Sequence, residues 1–431
     1  MMVSRCADKL RTVIKSNISD SGVETIRKKK IQWYAFWAYL RHKKVNNSRI
    51  DRDGKVKIVF IVFSPQSWNS LKTVYLAARK NIRVVTHVIV LPYDTIGPEG
   101  ESISSYTYFA QECPEAVEAY ENGILLDLKE IQPDIVFRQS PYDNFYPKEY
   151  SYDQLAKYTK VCYVPYNYNS SPLKHLKIEY SDVMLRNVYA IFTDNISNME
   201  YCLKRKEEVK WYKGLNVYYL GFPRFDLYTD INQNQSHLQK EKENNICYTW
   251  MPRWSTDSIY NDATGFFDYC EHLIRYFGIH RELMLIIRPH PMMFSNFIEK
   301  GLMSEEAVAK FRRRLVDFQN ICLDNHLDYM ETFLDTDVLI ADLSSLNVEF
   351  FITGKPIIYC GNVGEFNRET RGMVELFYKV SNWDEMKLCL DQLALGFDQN
   401  KEKRYDAIQE FLKEIPENIG EAILNECLKF A

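Results

Sequence analysis

A short loop that combines positive charge with proline lies near residue 290. Arg288, Pro289, His290 and Pro291 directly follow the apolar run 283–287, which is typical of a buried strand. The planar guanidinium of Arg288 suits a phosphate, and His290 can donate to a phosphate or carry a proton. Because the prolines restrict the backbone, both side chains are held in place. We expect Arg288 and His290 to act in catalysis on a phosphate; a packed histidine is the alternative.

A pair of serines follows another apolar run. Within residues 337–351, the strand-like run 338–341 leads through Asp342 to Ser344 and Ser345, where a helical pattern begins. Free backbone N–H groups and the positive end of the helix dipole favour an anion there, and the two hydroxyls add donors. These residues therefore predict a diphosphate site, unless Ser344 only caps the helix.

A third candidate is Arg253, which follows the apolar run 246–250 and lies next to Trp254. It can bring a second positive charge to the same phosphates. The alternative is an arginine stacked between Trp250 and Trp254.

Two loops in the first half combine tyrosine with amide side chains. Gln139 and Tyr142 follow a strand-like run that ends at Phe137, and Tyr166 and Asn167 follow another at 161–164. Tyrosine and amide groups suit an acceptor rich in hydroxyls, although polar turns would have the same composition. We expect these four residues on the acceptor side of the site.

Strands must alternate with helices to place these loops together. Helical patterns at 70–79 and about 114–130 separate the apolar runs. The runs predict strands at 56–63, 83–90, 134–137, 161–164, 189–193, 246–250, 283–287, 338–341 and 356–359. Such alternation is typical of an α/β protein with doubly wound parallel sheets, whose ligands bind beyond the carboxyl ends of the strands.

The length of 431 residues favours two domains, and a polar stretch at 228–245 is the best candidate for the linker between them. We predict a first Rossmann-like domain at 55–227 for the acceptor and a second at 246–400 for the donor nucleotide. The two face each other across a cleft, and helices at 401–431 close the chain. Residues 1–50 form an additional helical segment.

That first segment is basic and aromatic. The aromatic block 31–40 lies between Arg27–Lys30 and Arg41–Lys44. It is too short to cross a bilayer, but it suits the surface of an anionic membrane. The alternative is a helix whose rings pack on the protein while its lysines and arginines are solvated.

Composition narrows the class of protein. The net charge of −4 gives no footprint for non-specific nucleic-acid binding. The N-terminus lacks a signal-peptide pattern, so we predict a cytoplasmic protein, peripheral on the membrane if the first segment binds lipid. No Cys-x-x-Cys pair, P-loop or Gly-x-Gly-x-x-Gly occurs, which disfavours zinc, kinase and dehydrogenase sites. We expect no metal site and no required cofactor, with a divalent cation on the diphosphate as an option.

Taken together, the motifs resemble the CDP-glycerol glycerophosphotransferase family of teichoic-acid and capsule enzymes. The resemblance spans about residues 55 to 385 and rests on the order of Pro252-Arg253-Trp254, then Arg288-Pro289-His290-Pro291, then Asp342-Leu343-Ser344-Ser345. It implies a GT-B fold, donor binding mainly by the second domain and peripheral attachment to the membrane.

One feature departs from that family. Better-known members carry a His-Gly-Thr-Pro motif in the first domain, whose histidine resembles a base for the acceptor hydroxyl. The corresponding place here is Val164-Pro165-Tyr166-Asn167-Tyr168, and neutral tyrosine and asparagine are poor bases. Asp143 or His175 is then the candidate base.

The resulting hypothesis is a transferase that moves glycerol- or ribitol-phosphate from a CDP-activated donor to a hydroxyl of a cell-surface polymer or lipid-linked primer. A GT-B glycosyltransferase that uses a nucleotide sugar would need the same diphosphate site. A non-catalytic nucleotide-binding scaffold in a polymer-assembly complex is the third possibility.

Overall fold

The computed structural model describes residues 20–47, 54–96, 102–170, 176–228, 245–256, 264–324, 326, 328–361, 366–413 and 415–431. Three predicted features lie wholly or largely outside the described residues. They are the start of the first segment, most of the stretch at 228–245, and His175.

The first half of the chain forms a parallel sheet of seven strands, which together with its helices we call the first lobe. Its strands and two small hairpins are β1 (Val56–Val62), β2 (Val84–Val90), β3 (Asp94–Ile96), β4 (Ser102–Ser104), β5 (Ala116–Glu118), β6 (Tyr120–Glu121), β7 (Ile124–Leu125), β8 (Ile135–Arg138), β9 (Lys160–Tyr163), β10 (Ala190–Thr193) and β11 (Asn216–Tyr219). The sheet has the order β11-β10-β9-β8-β1-β2-β5, while β3 pairs with β4 and β6 with β7. The central strands are apolar and buried on both faces, as parallel sheets covered by helices require.

The helices of this half connect successive strands or precede them. They are α1 (Asp20–Asn47), α2 (Pro65–Lys80), α3 (Ser105–Glu112), α4 (Leu128–Ile131), α5 (Tyr152–Leu155), α6 (Asp182–Asn187) and α7 (Ile196–Glu208). Pro65 opens α2, where its missing N–H costs nothing, and the Asn195 side chain caps α7.

The second half forms a parallel sheet of six strands, the second lobe. Its elements are β12 (Cys247–Met251), α8 (Phe266–Ile279), β13 (Met284–Ile287), α9 (Met293–Glu299), α10 (Glu305–Leu315), β14 (Ile321–Leu323), α11 (Tyr329–Asp335), β15 (Val338–Ala341), α12 (Leu346–Phe351), β16 (Ile357–Tyr359), α13 (Arg368–Val374), β17 (Tyr378–Lys379) and α14 (Trp383–Ala394). The order is β14-β13-β12-β15-β16-β17.

The last two helices, α15 (Lys401–Leu412) and α16 (Ile419–Phe430), return to the first lobe. The Asp226 carboxylate accepts from the backbone N–H groups of Ile419 and Gly420, both at 2.8 Å. A Cβ on Gly420 would lie 2.5 Å from a backbone carbon of α2, so glycine permits the close contact of α16 with α2. One hydrophobic cluster continues from the first sheet into the second lobe.

The predicted helical pattern at about 114–130 is wrong. Strand β5, the hairpin β6–β7 and the short α4 occupy this stretch. Asn122 and Gly123 adopt positive φ angles of 52° and 78°, as a tight hairpin turn requires. The Asn-Gly pair was the signal that the helical reading overlooked.

Sequence reasoning also missed the four short hairpin strands β3, β4, β6 and β7 and the four edge strands of the two large sheets, β5, β11, β14 and β17. Each of the edge strands contains partly or fully exposed positions. Edge strands are covered less than central ones, so they lack the continuous apolar run that marks a buried parallel strand.

Helix α1 both packs on the first lobe and exposes aromatic side chains. Phe36 and Tyr39 contact the Trp211 ring, with centroid distances of 4.8 and 5.7 Å. Trp33 and Trp37 remain 61 % and 47 % exposed. No helix within the described ranges is both long and apolar enough to cross a membrane.

Candidate functional site

Three neighbouring strands of the second lobe bring the predicted donor residues to one edge. Because β13, β12 and β15 are adjacent and parallel, the loops that follow them meet beyond their carboxyl ends. The His290 N–H donates to the Pro252 carbonyl at 3.1 Å, and the Arg253 N–H donates to Oδ2 of Asp342 at 2.9 Å. Arg253, His290 and Asp342 therefore belong to one site, which we call the donor edge.

The Asp342 carboxylate organises the loops of the donor edge. It is 1 % exposed and also accepts from the Thr264 hydroxyl at 3.2 Å and the Gly265 N–H at 3.1 Å. Burial raises the pKa of Asp342, while these donors and Arg253 act in the opposite direction. A buried carboxylate would repel a phosphate, so at this edge Asp342 holds the loops in place and is not suited to contact a phosphate itself.

Ser344 and Ser345 lie directly before α12, at the same edge. The Ser344 hydroxyl accepts from the Leu346 N–H at 3.2 Å, and the Ser345 hydroxyl does not cap the helix. The Asn347 side chain donates to the Asp342 carbonyl at 2.9 Å, which fixes the helix start against the strand end. Ser344 thus has the capping contact weighed above, and Ser345 is the better hydroxyl for a ligand.

The His290 ring lies at this edge beside Trp254, partly covered by the surrounding loops, in a defined tautomer. Its Nδ1 accepts from the Met292 N–H at 3.2 Å, so the ring proton lies on Nε2. Desolvation by the surrounding loops, followed by the charge of Arg253, lowers the pKa of His290 to about 4. At neutral pH the ring is therefore an uncharged N–H donor rather than a cation.

Arg288 has a different environment from His290. Its Nη1 donates to the Asp324 carboxylate and to the His326 carbonyl, the latter at 3.0 Å. Asp324 is buried, which would raise its pKa, but Arg288 and Thr332 outweigh this and lower the pKa. Arg288 thus binds the loop after β14, and its predicted contact with phosphate has no support from this geometry.

Two of the predicted first-lobe residues also have internal partners. Gln139 is fully buried; its side-chain oxygen accepts from Phe63 N–H and Ser64 N–H, and its amide donates to the Ser64 carbonyl. Asp143 accepts from the buried Arg138 at 2.6 Å and from the Tyr152 N–H at 3.2 Å. Both residues hold the loops of the first lobe in place.

The remaining acceptor residues lie close together. The rings of Tyr142 and Tyr166 meet edge to face, with centroids 6.3 Å apart. Within the described part of the chain, the Asn167 side-chain oxygen is buried and accepts no hydrogen bond. Their role toward a hydroxyl acceptor stays a prediction, and we name residues 164–170 the acceptor loop.

Sequence reasoning missed the buried polar residues that hold the acceptor loop. Asp194 accepts from the Asn169 N–H at 2.6 Å, and Glu179 from the Asn169 side chain at 2.7 Å. The pKa of each carboxyl is raised to about 7, chiefly because the group is buried. Arg224, discussed below, contacts the same loop. The only sequence signal for Arg224 is that it follows a strand, as Arg253 and Arg288 do.

No metal centre is evident in the part of the chain that the structure describes: no three His, Cys, Asp or Glu side chains come together there. A divalent cation carried by the donor diphosphate stays a prediction.

A family comparison matches residues 151–381 to the CDP-glycerol:poly(glycerophosphate) glycerophosphotransferase family, which is more than half of the chain. The chain belongs to this family. The match contains all of the predicted donor residues and the acceptor loop, and it begins later than the start at about residue 55 that the motifs suggested. No curated protein matches the chain.

Solved structures agree on the fold of this glycerophosphotransferase family member. A UDP-GlcNAc 2-epimerase from Neisseria meningitidis bound to UDP-GlcNAc is 12 % identical, with a TM-score of 0.55 over 87 % of this chain and 100 % of that one. The wall teichoic acid polymerase TagF is 13 % identical, with a TM-score of 0.53 over 94 % and 97 %. At such identities the likeness concerns the fold alone, and it confirms the GT-B-like architecture with two parallel-sheet lobes.

Proposed function

We propose that the protein transfers a polyol phosphate from a CDP-activated donor to a hydroxyl of a cell-surface polymer or lipid-linked primer. The observation that carries this proposal is the donor edge of a glycerophosphotransferase family member, where Arg253, His290 and Ser345 follow adjacent strands. The acceptor loop is held against the second lobe by two hydrogen bonds from Asn367, which supports a hydroxyl acceptor entering from the first lobe.

In the proposed reaction, the diphosphate of the donor lies beside Ser345 and the start of α12. Arg253 supplies positive charge, and the neutral His290 donates its Nε2–H to a phosphate oxygen. The acceptor hydroxyl oxygen forms a bond to the distal phosphorus, the bond from that phosphorus to CMP breaks, and the hydroxyl proton is released. Positioning and neutralisation of the developing charge supply most of the acceleration.

Asn167 takes part in this proposal as the group that orients the acceptor. Its side-chain oxygen accepts no hydrogen bond within the described residues but is buried, so it can accept the hydrogen of the incoming hydroxyl only if the acceptor loop shifts when the substrate binds. Asp143 is a weaker candidate for the base than the sequence indicated, since Arg138 and a backbone N–H already bind it.

A thermal-shift series with CDP-glycerol, CDP-ribitol, CMP, UDP-sugars and GDP-sugars tests the donor, because a bound ligand raises the melting temperature. We expect a shift with the CDP-polyols and CMP, and release of CMP when a polyol-phosphate acceptor is added. A shift with a UDP- or GDP-sugar alone would make the protein a glycosyltransferase. Binding of CDP-glycerol without turnover on any acceptor would favour the scaffold.

We further propose that α1 rests on an anionic membrane surface. Ile26, Trp33, Trp37 and Leu40 are 53 %, 61 %, 47 % and 38 % exposed, and their spacing places them on one side of the helix. Exposed lysines precede Trp33 at 28–30 and follow Leu40 at 43–44, as in helices that bind the membrane interface.

Sedimentation with vesicles tests this contact. The wild type should pellet with vesicles that contain phosphatidylglycerol, and the double change Trp33→Ala with Trp37→Ala should weaken binding about tenfold or more. The matched control is Phe267→Ala with Phe397→Ala, which removes two rings that are 51 % and 68 % exposed elsewhere. Equal loss in both variants would refute a specific role for α1.

A further inference from the structure

A buried arginine joins the two sides of the proposed reaction. Arg224 follows β11 and is 3 % exposed. Its Nη2 donates to the Tyr166 carbonyl at 2.6 Å and to the Gln66 carbonyl at 3.3 Å. Through the first of these bonds Arg224 holds the acceptor loop at the residue next to Asn167.

The other end of the same guanidinium contacts the second lobe. Its Nη1 donates to Oε1 of Glu349 at 3.0 Å and to the Tyr329 hydroxyl at 2.5 Å. Glu349 is fully buried on α12, the helix that begins beside Ser345. The hydroxyls of Tyr228 and Tyr329 donate to its second oxygen, the former at 3.2 Å.

A second contact ties the far end of the acceptor loop to the second lobe. The Asn367 N–H donates to the Ser170 carbonyl at 2.9 Å, and its side chain donates to the Asn169 carbonyl at 2.8 Å. The loop is therefore bound by the second lobe at its end, while Arg224 determines the position of its middle.

We propose that Arg224 is a positioning residue, which sets the distance between the acceptor loop and the donor helix α12 through Tyr166 and Glu349. The proposal rests on the proposed function. Breaking one partner of a buried ion pair leaves an uncompensated charge, so the pair resists separation and fixes the two elements relative to each other. Phosphoryl transfer depends on such placement, since a misplacement of about 1 Å can cost about 100-fold in rate.

The test compares Arg224→Met with a control of the same kind. Arg404 is also buried, 1 % exposed, and binds Asp398 and the Gly354 carbonyl, neither of which belongs to the acceptor loop. Arg224→Met should lower kcat for transfer about 100-fold while the Kd for CDP-glycerol, measured by calorimetry, stays within about threefold. Arg404→Met should lower thermal stability to a similar extent and retain kcat. Wild-type kcat in folded Arg224→Met would overturn the proposal.

Hydrogen exchange of residues 164–170 gives a readout that needs no substrate. These amides should exchange faster in Arg224→Met and not in Arg404→Met; equal exchange in all three proteins would overturn the positioning role. If the wild type does not bind CDP-glycerol, the proposed function fails, yet this comparison still decides the role of Arg224. If Arg224→Met does not fold, Glu349→Gln serves instead, because glutamine keeps the volume and an oxygen for Arg224 but removes the charge.

Discussion

The change Glu179→Gln isolates the cost of a charge buried beneath the acceptor loop. Glu179 is 5 % exposed, and its two oxygens accept from the Tyr163 hydroxyl at 2.9 Å and the Asn169 amide at 2.7 Å. Burial, reinforced by Asp194, raises its pKa from 4.5 to about 7. Glutamine can keep both contacts: its oxygen accepts from Asn169 and its N–H donates to the Tyr163 oxygen.

A pKa increase of this size corresponds to about 3 kcal/mol. Below the ordinary pKa of 4.5 the carboxyl is protonated in both the folded and the unfolded chain, so it costs nothing. Between that value and about 7 the folded protein keeps a proton that the unfolded chain releases, so wild-type stability falls as the pH rises. We expect Glu179→Gln to be nearly as stable as the wild type below pH 4.5. Near pH 8 the variant should be more stable by up to about 3 kcal/mol.

Thermal unfolding of the two proteins, followed by circular dichroism below pH 4.5 and at about pH 8, measures this difference. If the first lobe unfolds as a unit, the gain near pH 8 should be roughly 6–12 °C. Glu179→Leu is the control, since it removes the charge but leaves the Tyr163 hydroxyl and the Asn169 amide without an acceptor, and should destabilise at both pH values. The same difference between wild type and Glu179→Gln at both pH values would refute the reasoning.

Three further changes test the donor edge and the return of the last helix. His290→Asn keeps an oxygen for the Met292 N–H but removes the Nε2–H donor, so CMP release should fall about 100-fold at an unchanged melting temperature; a lower melting temperature at full activity would contradict this role. Asp342→Asn replaces an accepting oxygen by a donor that faces other donors, so the free energy of unfolding should fall by about 1–3 kcal/mol and CDP-glycerol affinity should fall with it, as calorimetry can show. Gly420→Ala should cost about 1–3 kcal/mol in thermal unfolding because its Cβ meets α2, whereas Gly372→Ala, which meets nothing within 4 Å, should not.

The central strands could be predicted from the sequence because burial on both faces leaves a clear trace. All nine predicted strands lie inside one of the two sheets rather than at an edge. They are β1, β2, β8, β9, β10, β12, β13, β15 and β16. The edge strand β11 shows why the others were missed: all four of its residues are partly exposed, so no apolar run marks it. Its pairing with β10 depends on tertiary structure, which a local pattern does not contain.

The candidate site was predictable as a set of loops but not as a set of side-chain directions. Parallel strands place Arg253, His290 and Asp342 at one edge, and that follows from where their strands end. Arg288 contacts Asp324, which follows the neighbouring strand β14. The motif around Arg288 contains nothing that would predict this partner. Gln139 likewise binds the loop after β1. The sequence therefore located these residues at the strand ends. Whether a side chain holds a neighbouring loop or is available to a ligand depends on its hydrogen-bond partners, which only the structure shows.

Burying a carboxylate near an anion site costs free energy, and hydrogen-bond donors around each carboxylate offset that cost. Asp342 is surrounded by backbone N–H groups and a hydroxyl, and Glu349 by Arg224 and two tyrosine hydroxyls. In each case the negative charge is satisfied by the groups whose position matters to the site: the Arg253 loop for the donor, and Arg224 with the acceptor loop for the hydroxyl. An apolar residue in either place would remove the burial cost but would also leave those donors without an acceptor. The two carboxylates therefore fix the loops of the donor edge and the acceptor loop, and in the proposed function the neutral His290 and the charged Arg253 are the groups that meet the phosphates.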